Sequence, residues 1–221
     1  MTSTLAQQLD EFLAGWKQRV PAERQAIMER HIAHLKEVGI GRSAKQVGAR
    51  APDIVLPDAL GNSFDVGRLL ANGPVVVTFY RGGWCPYCNL ELKAYQDLLP
   101  RIIAAGASLV AISPEKPDDS LSTTEKNALT FPVLSDVGQK VGRAFGVVYE
   151  FTDELRTAYE GFGLDIPSKN GAPDQWSLPL SATYVIGSDG LILFADTSVD
   201  YRHRAEPLDV LAALERREAA E

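Results

Sequence analysis

The sequence predicts an α/β protein with a central mixed sheet, flanking helices and an N-terminal helical hairpin. Three observations support this prediction: two amphipathic segments within the first forty residues, a strand, helix and strand pattern over residues 74–113, and two strands joined by a tight turn over residues 182–196. We therefore expect an N-terminal helical extension at residues 1–46 and an α/β domain at residues 47–221.

Each half of the N-terminal hairpin has one apolar face. Leu5, Leu9, Phe12 and Trp16 recur at helical spacing, and Pro21 begins a second segment whose apolar residues again share a face. Two interpretations of the hairpin stay open: a packing element that covers the main domain, which we favour, and a dimerisation arm.

The segment after residue 73 predicts the centre of the sheet. "PVVVTFY" is a β-branched and aromatic run, which is typical of a strand buried on both faces. An amphipathic helix follows, and the strand "ASLVAIS" comes after a crossover of about 25 residues, which predicts parallel pairing. The inward stripe of this helix is predicted at Cys88, Leu92, Tyr95, Leu99 and Ile102.

The remaining segments complete the sheet and its cover. "APDIVLPDALGNSFDV" predicts a short hairpin, "FPVLSD" a short buried strand and "GQKVGRAFGV" a helix. Ser188, Asp189 and Gly190 form the turn of the late hairpin, and "PLDVLAALERRE" predicts a closing helix. Residues 150–180, rich in Gly and Pro, are predicted to form an ordered insertion.

Composition narrows the class of partner and the compartment. A net charge of −7 and a pI near 5.1 disfavour nucleic acid and anionic membranes, which both need a concentrated basic face. No run approaches the roughly 20 apolar residues of a membrane span, and the N-terminus lacks a basic stretch followed by an apolar one. We therefore expect a cytoplasmic protein whose partners are small molecules or other proteins.

The only two cysteines lie together in "RGGWCPYC", residues 81–88. Cys85 falls where the buried strand gives way to the helix, and unpaired backbone N–H groups with the helix dipole stabilise a thiolate there. Residues three apart on a helical turn are close enough for a disulfide, yet so small a ring stabilises the fold little. The pair is therefore predicted to be a reversible redox couple.

Two alternatives for the cysteines are less favoured. A zinc site would need further ligands, and the sequence offers only His31, His34 and His203. An exposed helix face is a sufficient explanation for His31 and His34. Inert buried thiols can lie anywhere in a core, so their position at a strand-to-helix junction favours a redox role. We expect no metal and no organic cofactor. Local geometry predicts that Cys85, beside Trp84, is the more accessible sulfur and attacks, while Cys88 resolves.

Four blocks of sequence resemble the peroxiredoxin-like branch of the alkyl hydroperoxide reductase/thiol-specific antioxidant (AhpC/TSA) family. They are "APDIVLPDALGNSFDVGRLL", "GPVVVTFYRGGWCPYCNLEL", "AISPEKPDDSLSTTEKNALTFPVLSD" and "TYVIGSDGLILFADTSVDYRHRAEPLDVLAAL", within about residues 47–216. The resemblance implies a thioredoxin-like fold and a thiol peroxidase for hydrogen peroxide or organic hydroperoxides. It also implies regeneration by thioredoxin, glutaredoxin or glutathione, and a homodimer as one assembly. "CPYC" is similar to the glutaredoxin motif.

The resemblance assigns individual roles around the cysteines. Phe79 and Tyr80 match the family pattern, whereas Arg81 stands at the Pro position. Cys85 occupies the Thr position and Cys88 that of the attacking cysteine. The resemblance thus assigns attack to Cys88 and local geometry to Cys85, and both assignments stay open.

Supporting residues follow from the same match. Glu91 stands at the acidic position, and Tyr80, Arg81 and Trp84 are further supporting candidates. The Arg that the family carries in the late strand is replaced by Ser181, for which Arg81 or Arg202 could substitute by proximity.

These departures predict weaker peroxidase activity, since each lost donor costs about 3 kcal/mol of transition-state stabilisation. Two alternative functions follow: a thiol-disulfide oxidoreductase without significant peroxidase activity, and a binding or scaffold protein that keeps the fold without turnover.

Overall fold

The structure is a computed structural model that describes residues 3–218; residues 1–2 and 219–221, at the ends of the two predicted segments, lie outside the described residues. The helices are α1 Leu5–Arg19, α2 Ala22–Glu37, α3 Gly67–Leu70, α4 Pro86–Ala104, α5 Pro117–Lys126, α6 Lys140–Phe145, α7 Asp153–Gly161, α8 Ile166–Asn170 and α9 Pro207–Glu218. The strands are β1 Val55–Pro57, β2 Ser63–Asp65, β3 Val75–Phe79, β4 Ser108–Ser113, β5 Val133–Ser135, β6 Val148–Glu150, β7 Ser177–Pro179, β8 Ser181–Ile186 and β9 Ile192–Ser198.

A mixed sheet with the order β5-β4-β3-β8-β9 forms the centre of the molecule. Strand β3 runs parallel to β4 and antiparallel to β8, and each of its residues is buried. A β-branched and aromatic run suits this position because side chains on both faces pack against other elements. Gly190, with φ +81°, closes the hairpin between β8 and β9 in a conformation that glycine adopts without strain. The predicted mixed sheet is confirmed.

Helix α4 carries the cysteine pair from the end of β3 across the sheet. Pro86 lies in its first turn, where the missing backbone N–H costs nothing, and Cys85 is the N-cap. The inward stripe predicted from the sequence is confirmed, because all its members are buried: Cys88, Leu92, Tyr95, Leu99 and Ile102.

The N-terminal hairpin packs on the domain. Helix α1 contacts α4, and α2 contacts α7. The start of α1 is fixed by Glu206, whose carboxylate accepts hydrogen bonds from the backbone N–H groups of Leu5 (3.3 Å) and Ala6 (2.5 Å). Arg30 of α2 forms an ion pair with Glu154 of α7 at 2.5 Å. These contacts fit the interpretation of the hairpin as a packing element.

One expectation about the hairpin is wrong. His34 is exposed as predicted, but His31 is buried at 5% exposure and lies 5.2 Å from the ring of Tyr149. Burial and the positive charge of Arg81 lower the pKa of His31 to about 4. The neutral imidazole places no charge in this buried position, and its ring packs against that of Tyr149.

The insertion at residues 150–180 is ordered and contains α7, α8 and all of β7. Strand β7 pairs with β6 in a separate two-stranded sheet. Within residues 3–218, none of the helices combines the length and the apolar character that crossing a bilayer requires.

Candidate active site

The two cysteines lie at the junction between β3 and α4, which is reached by a tight loop. At Gly83 a side chain would collide with Thr123, because an added Cβ would lie 2.1 Å from its hydroxyl oxygen. The backbone N–H of Gly83 donates to the Glu115 carboxylate at 2.8 Å. The loop is therefore held close to α5 and to the end of β4, and it fixes the direction in which α4 begins.

Both sulfur-bearing side chains are fully buried. Cys85 and Cys88 each show 0% exposure, and neither forms a disulfide in this structure. The prediction that Cys85 is the more accessible sulfur is therefore wrong. The aromatic side chains of Tyr87, Tyr159 and Tyr201 cover this junction, and local helix geometry carries no information about them.

Arg81 forms a hydrogen bond with the Cys85 sulfur. Its Nη2 donates to Cys85 Sγ at 3.0 Å, and its Nη1 donates to the Tyr159 hydroxyl at 2.9 Å. The guanidinium lies 4.2 Å from the ring centroid of Tyr201 and 5.4 Å from that of Trp84, both within cation–π range. A charged group with 4% exposure thus has a thiol, a phenol and aromatic faces as its surroundings.

Arg204 holds the second sulfur and was missed by the sequence analysis. Its Nη2 lies 3.3 Å from Cys88 Sγ, and its Nε donates to the Glu91 carboxylate at 2.6 Å. The other oxygen of Glu91 accepts from the Thr78 hydroxyl at 3.3 Å, and Thr78 in turn contacts Thr183 at 3.1 Å. Arg204 and Glu91 form an ion pair in which both side chains are 1% exposed.

The arginine that the sequence analysis considered lost is replaced from another element. Ser181 stands at the expected position, and its hydroxyl accepts a hydrogen bond from Arg204 Nη1. Arg202 does not substitute, because it forms ion pairs with Asp200 at 2.8 Å and with Glu29 at 2.5 Å. One signal could have pointed to a second arginine: Glu91 lies beside the inward stripe of α4, and a buried carboxylate needs a cation.

The surroundings of the two cysteines shift their pKa values in opposite directions. Burial alone would raise the pKa of Cys85, but a hydrogen bond from Cys88 and the charges of Arg81 and Arg204 outweigh it and bring the pKa well below its usual range. Burial and the negative charge at Cys85 raise the pKa of Cys88 well above its usual range. When the pair loses one proton, these shifts favour the negative charge on Cys85 over Cys88.

The other supporting candidates lie around this pair. Tyr80 is buried, and burial together with the charge of Glu115 raises its pKa. Burial also raises the pKa of Glu91 and of Glu115 to about 7. Trp84 is half-buried, with its ring 5.8 Å from that of Tyr159. Within residues 3–218, potential metal-ligating side chains do not gather in groups of three or more.

Comparisons with known proteins identify the family of the chain. A family model described as "AhpC/TSA family" matches residues 47–195. A Mycobacterium tuberculosis protein named as a peroxiredoxin is 35% identical over 103 residues, which cover 47% of this chain and 65% of the relative. The thiol-disulfide oxidoreductase ResA of Bacillus anthracis is 30% identical over 103 residues, covering 46% of this chain and 58% of ResA. The chain thus spans less than two thirds of the length of either relative.

A solved structure gives the same picture of the fold. The crystal structure of peroxidoxin BcpB from Mycobacterium tuberculosis superposes with a TM-score of 0.61 at 25% identity, covering 77% of this chain and 97% of that one. The central mixed sheet and its flanking helices are therefore those of a thioredoxin-like fold.

Proposed function

We propose that this chain, which belongs to the AhpC/TSA family, is a thiol peroxidase that reduces hydrogen peroxide or organic hydroperoxides through Cys85 and Cys88. One observation carries the proposal: the Cys85 sulfur accepts a hydrogen bond from Arg81 at 3.0 Å while Arg204 lies on Cys88 at 3.3 Å. Two fixed cations beside a sulfur pair stabilise a nucleophilic thiolate and the negative charge that develops on a peroxide oxygen.

Cys85 is assigned the attack. Its thiolate attacks the terminal oxygen of the hydroperoxide, the O–O bond breaks, and the sulfur is oxidised by two electrons to a sulfenic acid. The leaving alkoxide or hydroxide takes the proton of the Cys88 thiol, which already donates to Cys85. The Cys88 thiolate then attacks the sulfenic sulfur, a disulfide forms, and the hydroxide that leaves takes a proton from solvent.

A thiol reductant completes the cycle. Thioredoxin, glutaredoxin or glutathione would transfer two electrons to the disulfide by thiol-disulfide exchange and return both cysteines to their reduced forms. We assign the protein to the cytoplasm, where such reductants keep thiols reduced. We also propose that the protein forms a homodimer, an assembly that only the family resemblance supports.

The proposal is tested by single-turnover kinetics on the reduced protein. We expect wild type and Cys88→Ser each to consume one equivalent of hydrogen peroxide, and Cys88→Ser to gain the mass of one oxygen atom on Cys85. Cys85→Ser is expected to consume none. Stopped-flow fluorescence and mass spectrometry of both variants are the measurements. If Cys85→Ser consumed peroxide and Cys88→Ser did not, the attack would be assigned to Cys88, the position that the family pattern favours. If none of the three proteins consumed peroxide, peroxidase function would be refuted.

A second candidate is a thiol-disulfide oxidoreductase without significant peroxidase activity. The similarity to ResA and the presence of Cys85 at the Thr position favour it. In that case the reduced wild-type protein would exchange with a model disulfide such as oxidised glutathione and would leave peroxide unchanged.

A further inference from the structure

An aromatic pocket lies beside the Cys85 sulfur. Its volume is about 150 Å³. Aromatic side chains line most of it, among them Phe12, Trp16, Trp84, Tyr87, Tyr159 and Tyr201. Pro86 and Trp84, the neighbours of Cys85 in the chain, also line it, as does Arg81, whose Nη2 is 3.0 Å from the sulfur. The pocket is therefore separated from the buried Cys85 sulfur by the residues that contact or flank it.

Much of this pocket comes from outside the part of the chain that matches the family. Phe12 and Trp16 belong to α1 and Tyr201 follows β9, whereas the family match covers residues 47–195. The ring of Phe12 meets Tyr87 edge to face at 5.0 Å, and Tyr87 meets Tyr201 in the same way at 5.5 Å. The N-terminal hairpin thus supplies a wall that the matched domain lacks.

The pocket has the size and chemistry for one aromatic ring with a polar end. A cavity of about 150 Å³ lined by apolar side chains is the size that admits benzene. At its polar side, Arg81 Nε and the Tyr87 hydroxyl are buried without hydrogen-bond partners among the described residues. Both atoms belong to residues at 4% exposure, and both are donors that a peroxide oxygen could accept from.

We infer that this pocket binds the ring of an arylalkyl hydroperoxide and holds its –OOH group against Arg81, the residue that contacts the Cys85 sulfur. The inference rests on the proposed function and narrows its substrate class. The ring packs among Phe12, Trp16 and Tyr159, and the oxygens accept hydrogen bonds from Arg81 and Tyr87. The chemical step is the one given above, with the arylalkyl alcohol as the reduced product. Hydrogen peroxide gains nothing from the aromatic walls.

The kinetic test compares three hydroperoxides with the reduced protein. Because burial of the ring against the aromatic walls strengthens binding, cumene hydroperoxide should react at least about tenfold faster than tert-butyl hydroperoxide. Trp16→Ala should remove most of this difference and leave the rate with hydrogen peroxide unchanged. Leu13→Ala is the matched control, since Leu13 lies on the same helix and outside the pocket. Equal rates for the two organic hydroperoxides would overturn the inference.

A second variant and a binding measurement guard against misfolding and against failure of the peroxidase proposal. Leu164→Trp fills the pocket from a residue outside α1 and should slow only the aryl substrate. Binding of cumyl alcohol, the unreactive product, to the Cys85→Ser/Cys88→Ser protein is followed by calorimetry. Binding that Leu164→Trp abolishes supports the pocket even if no peroxide reacts, and no binding to the folded protein overturns it.

Discussion

Arg81 and Arg204 each contact one sulfur, but their surroundings differ in sign. Arg204 donates to the Glu91 carboxyl group, to the Ser181 hydroxyl and to backbone carbonyls, so an acidic group with a pKa of about 7 offsets its positive charge once it ionises. Arg81 instead meets a thiol, the Tyr159 hydroxyl and aromatic rings. The positive charge of Arg81 therefore acts on Cys85 with little compensation.

This difference helps to explain why the pKa values of the two neighbouring thiols differ. In a buried site of low dielectric, an uncompensated guanidinium stabilises a thiolate strongly, whereas an ion pair acts mostly as a dipole. A hydrogen bond from Cys88 and the charges of Arg81 and Arg204 lower the pKa of Cys85, whereas burial and the interaction with Cys85 raise the pKa of Cys88. The uncompensated charge of Arg81 thus favours ionisation at Cys85 over ionisation at Cys88.

The largest effect is expected for Arg204→Met. It leaves the Glu91 carboxylate buried without its cation, which should lower the free energy of unfolding by about 3–5 kcal/mol at pH 8. The double variant Glu91→Gln/Arg204→Met should recover most of that loss, since no charge is stranded. Urea denaturation of both variants is the measurement. Equal losses in the single and double variants would show that the pair does not act as an ion pair.

Arg81→Met should act on chemistry more than on stability. Without the guanidinium the Cys85 pKa rises and the sulfur protonates, so a stranded charge is avoided. The rate of reaction with hydrogen peroxide at pH 7 should fall about 10²- to 10³-fold. The pH dependence of alkylation by iodoacetamide, measured in the Cys88→Ser background, reports the pKa of Cys85. An unchanged alkylation profile would remove Arg81 from the assigned role.

Glu115 is a buried carboxyl without an arginine, so it shows what such a group costs. Burial raises its pKa to about 7, and the folded state therefore holds its proton more tightly than the unfolded state. Stability should fall as the pH rises from about 4.5 to 7, and the cost is complete above that range. Glu115→Gln should stabilise the protein by about 1–3 kcal/mol at pH 8 and by little at pH 4. Equal effects at both pH values would contradict this explanation.

The smallest effect is expected for Arg202→Met. This arginine is 17% exposed and joins Asp200 to Glu29 of α2. Its ion pairs reach solvent, so the loss of stability should be at most about 1 kcal/mol. The alkylation profile of Cys85 should match that of wild type. A shifted profile would mean that charge outside the site also sets the thiol pKa.

Local pattern explains what the sequence could predict. The stripe from Cys88 to Ile102 follows helical spacing, and the N-cap position of Cys85 follows from the strand that precedes it. Arg81 lies four positions before Cys85, close enough for the chain to suggest its contact.

What sequence reasoning missed depends on distant parts of the chain. Arg204 reaches Cys88 across 116 positions, and no local spacing predicts that approach. His31 is polar and shares its helix face with apolar residues, so only its packing against Tyr149 reveals burial. Similarly, the residues that cover Cys85 come from several elements far apart in the chain. Helix geometry alone therefore predicted, wrongly, that Cys85 is exposed.

The complete burial of both sulfurs has a consequence for recycling. Neither sulfur has any exposed area, and a thiol carried on the surface of a folded reductant needs a wider approach to them than a small hydroperoxide does. The first turn of α4, or the hairpin packed on it, has to separate transiently before exchange with such a protein begins. Regeneration by a protein will therefore follow the frequency of this opening, and a small thiol such as glutathione will be less restricted by it.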